Sequence, residues 1–496
     1  MHGTLRPLYS IATCVAVLVA LGGCALKPRS VTGEKNAGQQ SESAFSVNRS
    51  GESATITVTY NDCSDQNAVQ YAATSRRARK GATHLGWSYS TDYGTNWVYG
   101  GRVAASDQWP LLWGDPGISH SVRDQRYVFI VSLAVPKAKL DMAQGGVIDG
   151  PANNFIGGAC IARSTDTGKT FVLWQCLQTT ETDPTGDFYD GGNMASDAGG
   201  RVYAGWVNVD RSAVHIWRAA DENSTFTKLP NPFSDTLISS HPRLRVNIET
   251  GELYVMAQAY SGELVMASWN GSTWSSTWHT GMYAAGYPCL ASSAGPCTNT
   301  DTVLRTGPQF SFDIGSFGKG NDHIRMMFTR RSSLNSRLYI VGAGCMLSPR
   351  QCQYIPEWGT GEGSQEKVES SFNPLVRAYR DATMTSQGEP SLWMGSHSTY
   401  SPRNARVSFA MGGLGIYKDQ NGQDRFIHLA IYSLVDRILC ADLRGYWGDY
   451  DDLQALGPVS GRQSTAFART YTDSQLGCNS SWQYTSSQVH IGFTGN

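Results

Sequence analysis

The 496-residue sequence has few charged side chains and no excess of either sign, since 40 Lys and Arg face 41 Asp and Glu. A nucleic-acid-binding protein would carry a basic stripe or domain, so this balance argues against that class of partner. The sequence also lacks a Cys-x-x-Cys pair, a His-Glu-x-x-His motif, a Gly-x-Ser-x-Gly motif and a phosphate-binding loop. These absences argue against a zinc or thioredoxin-type site, a serine-hydrolase elbow and a nucleotide site. We therefore expect no cofactor.

Long helical patterns are missing after the N-terminal stretch, whereas 14 Trp, 23 Tyr and 53 Gly are present. Trp and Tyr suit half-buried pleated surfaces, and Gly supplies the turns between strands. Short strands and turns repeat with a period of about 40 to 60 residues, which predicts an all-β fold, a β-propeller of four-stranded blades. Seven apolar segments read as core strands: 54–60, 126–134, 201–209, 252–259, 323–329, 425–433 and 466–472. A count of seven blades is favoured, and the alternative is six blades if two of these segments belong to the same blade.

The propeller should also be closed into a ring, because closure leaves no exposed central edge. We expect the segment 45–47 to complete the last blade beside 488–493.

The N-terminus reads as an export signal, with Arg6 ahead of an apolar run from 8 to 21 that is short for a membrane-spanning helix. The run ends in Leu21-Gly22-Gly23-Cys24, which resembles the lipobox of bacterial lipoproteins. The resemblance implies removal of residues 1–23 and acylation of the Cys24 thiol, and multiple acyl chains make such an anchor stable. The alternative is a plain signal peptide cut elsewhere.

By the same resemblance, Ala25 implies sorting to the outer membrane if the cell has one, and otherwise to the outer face of the cell membrane. Residues 24–43 are polar and rich in Lys, Ser, Gly and Gln, so we expect a flexible tether ahead of a body that spans 44–496.

Cysteine usage agrees with export, because disulfides form in oxidising compartments. Without Cys14 and Cys24, nine cysteines remain, so at least one is unpaired within the chain. The expected pairs are Cys160 with Cys176, Cys289 with Cys297, and Cys345 with Cys352; Cys63, Cys440 and Cys478 compete for a last bridge.

Two turns share the pattern S-x-D-x-G-x-x-[WF], and we name them the Ser-x-Asp turns. Their residues are Ser90, Asp92, Gly94 and Trp97 in the first, and Ser164, Asp166, Gly168 and Phe171 in the second. The Asp carboxylate can accept hydrogen bonds within a tight hairpin, Gly supplies a positive φ, and the aromatic ring fills the gap between sheets. These residues are therefore expected to be structural rather than catalytic.

This pattern resembles the Asp-box (bacterial neuraminidase repeat) sialidase-like superfamily over about 44–496. The resemblance implies a sialidase-like propeller. Sialidases of the superfamily grip the substrate carboxylate with three arginines and use a Tyr nucleophile, a Glu and an Asp acid/base. Bidentate guanidinium groups suit a carboxylate.

The first arginine of that set normally lies in an Arg-Ile-Pro motif before the first Asp-box. Here the region carries only the basic run Arg76, Arg77 and Arg79, which we expect to be a solvated loop. Five other arginines are candidates for a cluster: Arg243, Arg330, Arg331, Arg380 and Arg403.

Polar residues at the starts of inner strands converge on the mouth of a propeller channel. The segments Gly114-Asp115-Pro116, His241-Pro242-Arg243 and Gly448-Asp449-Tyr450 resemble such starts in extracellular members of the superfamily. The mouth candidates are Asp115, Asp190, His241, Arg243, Arg380, Asp449 and Tyr450. Facing carboxylates there would suit a glycosidase acid and base; the alternative is that each is a turn or cap residue. Asp449, Asp451 and Asp452 offer clustered oxygen ligands of the kind that calcium prefers.

Three classes of function follow from these features: a glycan-active enzyme, a non-catalytic glycan- or protein-binding propeller, and a scaffold subunit of an envelope complex. The missing Arg-Ile-Pro motif favours binding over sialidase activity. We predict a membrane-anchored envelope protein that recognises extracellular carbohydrate, with glycoside hydrolysis and protein scaffolding as the alternatives.

Overall fold

Segments rich in Val, Ile, Tyr and Phe form strands along the whole chain, as the β-preference of these residues requires. The computed structural model describes residues 26–31, 39–50, 53–63, 69–72, 75–79, 83–142, 147–148, 157–178, 189–247, 250–285, 310–316, 322–332, 338–359, 371–379, 391–399, 406–418, 424–438, 453–458, 465–474 and 487–494. Strands are numbered β1 to β31 in chain order, and the helix is α1.

The strands form seven four-stranded antiparallel sheets, which are the blades of a propeller. Blade 1 contains β2 Gln39–Ser50, β3 Ser53–Cys63, β6 Leu85–Ser90 and β7 Val98–Arg102. Blade 2 contains β8 Leu111–His120, β9 Val128–Val135, β11 Gly158–Ser164 and β12 Val172–Gln178. Blade 3 contains β13 Tyr189–Ser196, β14 Val202–Asn208, β15 Ala213–Ala219 and β16 Thr227–Lys228. Blade 4 contains β17 Arg243–Val246, β18 Leu253–Gln258, β19 Glu263–Trp269 and β20 Trp278–Tyr283.

The remaining three blades follow the same order from the inner strand outwards. Blade 5 contains β21 Phe310–Ser316, β22 Asp322–Arg331, β23 Leu338–Leu347 and β24 Arg350–Gly359. Blade 6 contains β25 Ser371–Tyr379, β26 Ser391–Thr399, β27 Arg406–Lys418 and β28 Asp424–Ile438. Blade 7 contains β29 Leu453–Pro458, β30 Thr465–Ser474, β31 Ser487–Thr494 and, as its outer strand, β1 Leu26–Ser30.

The inner strands form a closed ring. Each of β2, β8, β13, β17, β21, β25 and β29 contacts the next, and β29 contacts β2. Seven blades around a central channel therefore confirm the favoured blade count. Six of the seven expected core segments lie on the second strand of their blades; the segment 425–433 lies instead on β28, the outer strand of blade 6.

Ring closure differs from the sequence-based expectation. Residues 45–47 belong to β2, the inner strand of blade 1, where Phe45 is fully buried. The strand that completes blade 7 is β1, with Leu26 opposite Phe493 and Ser30 opposite His490. Burying the apolar side chains of 45–47 at the centre of the propeller stabilises the fold more than leaving them at an exposed edge would. The polar sequence Leu-Lys-Pro-Arg-Ser, in contrast, suits an outer strand.

The expected tether is also corrected where the structure describes it. Leu26–Ser30 is a strand, and the strand Gln39–Ser50 begins ahead of the expected body boundary at residue 44.

A small sheet projects from blades 1 and 2. It contains β4 Val69–Ala72, β5 Ser75–Arg79 and β10 Val147–Ile148, in the order β10-β5-β4. The basic run Arg76–Arg79 is therefore a strand and not a loop, because its backbone pairs on both sides. The helix α1 Lys137–Met142 precedes β10. Among the described residues, no helix has the length and apolar character needed to cross a membrane.

The hydrophobic core is divided among the interfaces between neighbouring blades. Between blades 2 and 3, Trp113 and Phe129 pack with Met194 and Trp206. The interface between blades 3 and 4 has its own cluster around Tyr203 and Leu244. A fully buried side chain of this size contributes about 2 kcal/mol to stability. Because these side chains lie between blades, each blade is stabilised mainly by packing against its neighbours.

Two of the expected disulfides are present. Cys160 and Cys176 join β11 to β12, and Cys345 and Cys352 join β23 to β24; each pair is directly opposite in register. Cys289, Cys297, Cys440 and Cys478 lie outside the described residues.

Candidate functional site at the channel mouth

Antiparallel strand order gives the propeller two distinct faces. The inner strands begin on one face, which also carries the ends of the second strands; we call it the mouth face. The turns between third and fourth strands, including both Ser-x-Asp turns, lie on the opposite face, which we call the turn face.

Strand β8 is distorted around Asp115, near the middle of its 10 residues. Pairing of β8 with β9 shifts register on both sides of Gly114, so this segment is bulged. Asp115 has φ 50° and Gly114 has φ 104°, and Asp is one of the few residues that tolerate this left-handed region. Bulges beside functional sites re-aim side chains. The distortion therefore sets the direction of the Asp115 carboxylate.

Asn61, at the end of β3 in blade 1, holds Asp115 from the neighbouring blade. Its Oδ1 accepts a hydrogen bond from the Asp115 N–H at 2.8 Å, and its Nδ2 donates to Asp115 Oδ1 at 3.4 Å. One amide thus contacts both the backbone and the carboxylate of Asp115. Sequence reasoning missed Asn61, since nothing in its local sequence marks this contact between blades.

The next two blades supply a carboxylate and an imidazole. Asp190 Oδ2 lies 3.1 Å from His241 Nε2, and the two side chains are 13% and 14% exposed. Asp190 is followed by a register shift before Asn193, a second bulge at the start of an inner strand. Gly191 has φ 65°, and a Cβ at that position would lie 2.3 Å from His241 Cγ. Only glycine leaves room for the imidazole here.

These residues form a continuous arc around the mouth. Gly192 lies so close to blade 2 that an added Cβ would be 2.8 Å from the Asp115 carbonyl oxygen, which places the middle of β8 against the start of β13. Asn61, Asp115, Asp190 and His241 come from blades 1, 2, 3 and 4 in turn, and we name them the mouth cluster. It combines two carboxylates, an amide and an imidazole.

Arg243 continues from His241 along β17 and is half-buried. Two residues further, Arg245 Nε lies 3.7 Å from Asp313 Oδ1 of blade 5, and Arg245 Nη1 donates to the Leu244 carbonyl at 2.6 Å. Arg243 and Arg245 share one face of the strand, because side chains alternate. Leu244, on the other face, is fully buried. The Arg245–Asp313 contact was not anticipated; the Arg-Leu-Arg alternation was its only signal.

Two other predicted arginines lie on the mouth face of blade 5, at the end of its second strand. Arg330 and Arg331 are exposed at the end of β22, and the Arg330 guanidinium lies 5.4 Å from the ring centre of Tyr354 on the outer strand β24. Arg330 is therefore engaged at the outer part of blade 5. The remaining candidates fall outside the described residues: Arg380, Arg403, Asp449, Tyr450, Asp451 and Asp452.

The two Ser-x-Asp turns have matching hydrogen bonds. Ser90 Oγ donates to Asp92 Oδ1 at 2.8 Å and accepts from the Gly94 N–H at 2.8 Å, while Asp92 Oδ1 accepts from the Asn96 N–H at 2.8 Å. Ser164, Asp166, Gly168 and Thr170 repeat these contacts. Burial raises the pKa of Asp92 and Asp166, but the hydrogen bonds together outweigh it and hold each pKa below its usual value. Both carboxylates are saturated within their turns and lie far from the mouth by topology.

No family model matches the sequence, and no curated protein matches it. Comparison with solved structures gives matches at low sequence identity. A Dyadobacter fermentans protein of unknown function is 10% identical with a TM-score of 0.42, covering 76% of this chain and 95% of its own. NanB, solved with Optactamide, is 9% identical with a TM-score of 0.43, covering 74% and 65%. The intramolecular trans-sialidase of Ruminococcus gnavus is 10% identical with a TM-score of 0.41, covering 76% and 92%. At these identities and TM-scores, the matches support no conclusion about the ligand or activity of this chain.

Proposed function

We propose that this propeller binds carbohydrate at the mouth of its channel. The observation that carries the proposal is the mouth cluster: four polar side chains from four consecutive blades, each directed by a contact between blades or a bulged strand. Sugar hydroxyls both donate and accept hydrogen bonds, and carboxylates, an amide and an imidazole offer matching partners. Polar side chains that converge in a concave site are typical of small-molecule recognition.

A glycan array tests the proposal directly. An unacylated chain that begins at Ala25, called the mature chain below, is exported to an oxidising compartment and compared with Asp190→Asn and Asp115→Asn. Asp221→Asn is the matched control, since Asp221 lies in a turn on the turn face and Asn also supports such turns. Binding by the parent chain and the control that is lost in the mouth variants supports the proposal. Equal binding by all four proteins would exclude the mouth as the site.

Hydrolysis is a second candidate, favoured by the contact between Asp190 and His241. A carboxylate beside an imidazole can hold or accept a proton at a defined atom, as general acid–base chemistry on a glycosidic bond requires. A panel of fluorogenic glycosides that includes a sialoside measures turnover. Turnover that is abolished by Asp190→Asn would identify the protein as an enzyme. Binding on the array without turnover would identify it as a lectin. Neither binding nor turnover would favour a protein scaffold.

We also propose that the protein is displayed on the bacterial envelope through acylated Cys24. The lipobox-like sequence Leu21-Gly22-Gly23-Cys24 and the two disulfides support export. Because β1 begins at Leu26, two residues after the anchor, the propeller would be held close to the membrane instead of on a long tether. Labelling cells with radioactive palmitate, with Cys24→Ala as the control, tests this: unchanged labelling of the variant would reject Cys24 as the acylated residue.

A further inference from the structure

A second concave site lies on the turn face between blades 4 and 5, away from the mouth cluster. It is a cavity of about 220 Å³. Its walls come from the starts of β18, β20 and β24 and the ends of β19 and β23. The residues that matter for its chemistry are Glu252, Tyr254, Ser268, Trp278 and Arg350. At ~30 Å³ per water molecule, the space equals about seven waters, which is the scale of one small ring.

One wall carries an acceptor that is fixed in place. The Tyr254 hydroxyl donates to Glu252 Oε2 at 2.8 Å. Tyr254 is 5% exposed, so its ring cannot swing away, and Glu252 is half-buried. A carboxylate has about four acceptor positions, and the tyrosine occupies one of them. Glu252 therefore keeps acceptor capacity for a ligand in the cavity.

Blade 5 contributes a donor group, Arg350, to the lining of the same cavity. Arg350 Nη1 donates to the Ser276 carbonyl at 3.2 Å and lies 3.4 Å from Ser276 Oγ. The guanidinium carbon lies 5.9 Å from the ring centre of Trp278, which is 9% exposed. A guanidinium has five N–H donors, so the Nε and Nη2 donors remain for a ligand. The side chain is nevertheless exposed, and its removal should leave the fold intact.

We propose that this cavity binds one neutral sugar residue. Glu252 and Arg350 cancel in charge, so neither an anion nor a cation is favoured. A carboxylate and a guanidinium that line one small cavity can each bind a sugar hydroxyl, one accepting and the other donating a hydrogen bond. Trp278 and Tyr254 supply apolar surface for the ring's C–H groups. This proposal does not rest on the mouth cluster, since the two sites share no residue.

The test is titration of the mature chain with methyl glycosides of glucose, galactose, mannose, fucose and N-acetylglucosamine, followed by saturation-transfer NMR. At least one glycoside should bind with millimolar affinity. Arg350→Ala and Glu252→Gln should each weaken it by about tenfold or more, since a hydrogen bond to a charged group contributes about 1.5 kcal/mol or more. Arg126→Ala is the control, because Arg126 is an exposed arginine on the same face that pairs with Asp124.

Two results would overturn the proposal. One is that none of the five glycosides binds the parent chain at millimolar concentration. The other is that a glycoside binds, but with the same affinity after Arg350→Ala and Glu252→Gln. Thermal melts of both variants distinguish loss of the site from loss of the fold. If Arg350→Ala is unstable, the affinity of Glu252→Gln, which keeps the side-chain shape, still tests the proposal.

Discussion

The Asp190 carboxylate lies 3.1 Å from the imidazole Nε2 of His241, across the boundary between blades 3 and 4. Residue 191 must be glycine for the two to meet, and the strand must bulge directly after Asp190. Such local distortions are costly and persist where the surroundings enforce them. This contact between blades is therefore the part of the mouth cluster on which mutagenesis is most informative.

Replacing Asp190 with Asn removes the charge and keeps the shape of the side chain. We expect glycan binding to weaken by about tenfold or more, because the imidazole loses its charged partner. The free energy of unfolding in urea should fall by about 2 kcal/mol, since the pair is mostly buried but the Asn amide still offers the imidazole a hydrogen-bond partner. His241→Gln should have the same effect, and the double variant should add little to either single one. Additive losses would show that the two residues act independently.

Gly191→Ala tests the steric requirement at the mouth, with Gly281→Ala as a matched control. Both glycines have a positive φ, 65° and 70°, but an added Cβ at residue 281 meets no atom within 4 Å. The left-handed conformation alone should cost about 1 kcal/mol in Gly281→Ala. Gly191→Ala should cost more and also reduce glycan binding, because His241 must move. Equal melting temperatures for the two variants would contradict the contact with His241.

The Ser-x-Asp turns should matter for stability and not for binding. Asp166→Ala removes the acceptor for the Ser164 hydroxyl and the Thr170 N–H, and we expect a loss of about 2 kcal/mol in the free energy of unfolding. Asp166→Asn keeps one acceptor and should lose less. Glycan binding by the folded variants should equal that of the parent chain; a selective loss of binding would give this face a role in recognition.

Stability should depend on pH through His120, whose Nδ1 lies 2.6 Å from Ser46 Oγ. Burial lowers the pKa of His120 to about 4, against about 6.5 in the unfolded chain. The unfolded state therefore binds the proton first. The contribution of neutral His120 to the free energy of unfolding is fully present above pH 6.5 and is lost as the pH falls towards 4. It amounts to about 3 kcal/mol at most. Urea melts across this range should show the loss, and His120→Gln should flatten it. If the variant showed the same dependence of stability on pH, other titratable groups would be responsible for the loss.

Removing β1 should destabilise blade 7. A chain that begins at Gln39 lacks Leu26–Ser30 and also Val31, which is fully buried with Phe45 and Ile56. We expect a lower melting temperature and more aggregation, because β31 becomes an unpaired edge. Val31→Ala in the full mature chain separates the two effects and should cost about 2 kcal/mol without exposing the edge. Equal melting of the chains starting at Ala25 and Gln39 would contradict the β1–β31 pairing.

Features that depend on neighbouring residues were predictable from the sequence. The propeller, the seven blades and two disulfides follow from local repeats and from cysteines that are close along the chain. Asp190 and His241 were predicted as mouth residues from their places at strand starts, and the structure brings them together.

Features that depend on distant parts of the chain were not predictable. Asn61 contacts Asp115 only because blades 1 and 2 pack side by side. The polar segment around Leu26 read as a tether, since its partner Phe493 lies at the other end of the sequence. The basic strand around Arg77 likewise depends on pairing with β4 and, at its other edge, with a strand inserted in blade 2.

The place of β1 in blade 7 also constrains the order of events during biosynthesis. Strand β1 pairs with β31, so it has no sheet partner until residues 487–494 have been made. Contacts of such high sequence separation form slowly, because the intervening chain must first be ordered. Blades 1 to 6 can each assemble from consecutive segments, and the pairing of β1 with β31 in blade 7 is then the final step. A chain stalled before residue 487 would leave an open arc of blades for proteases and chaperones to recognise.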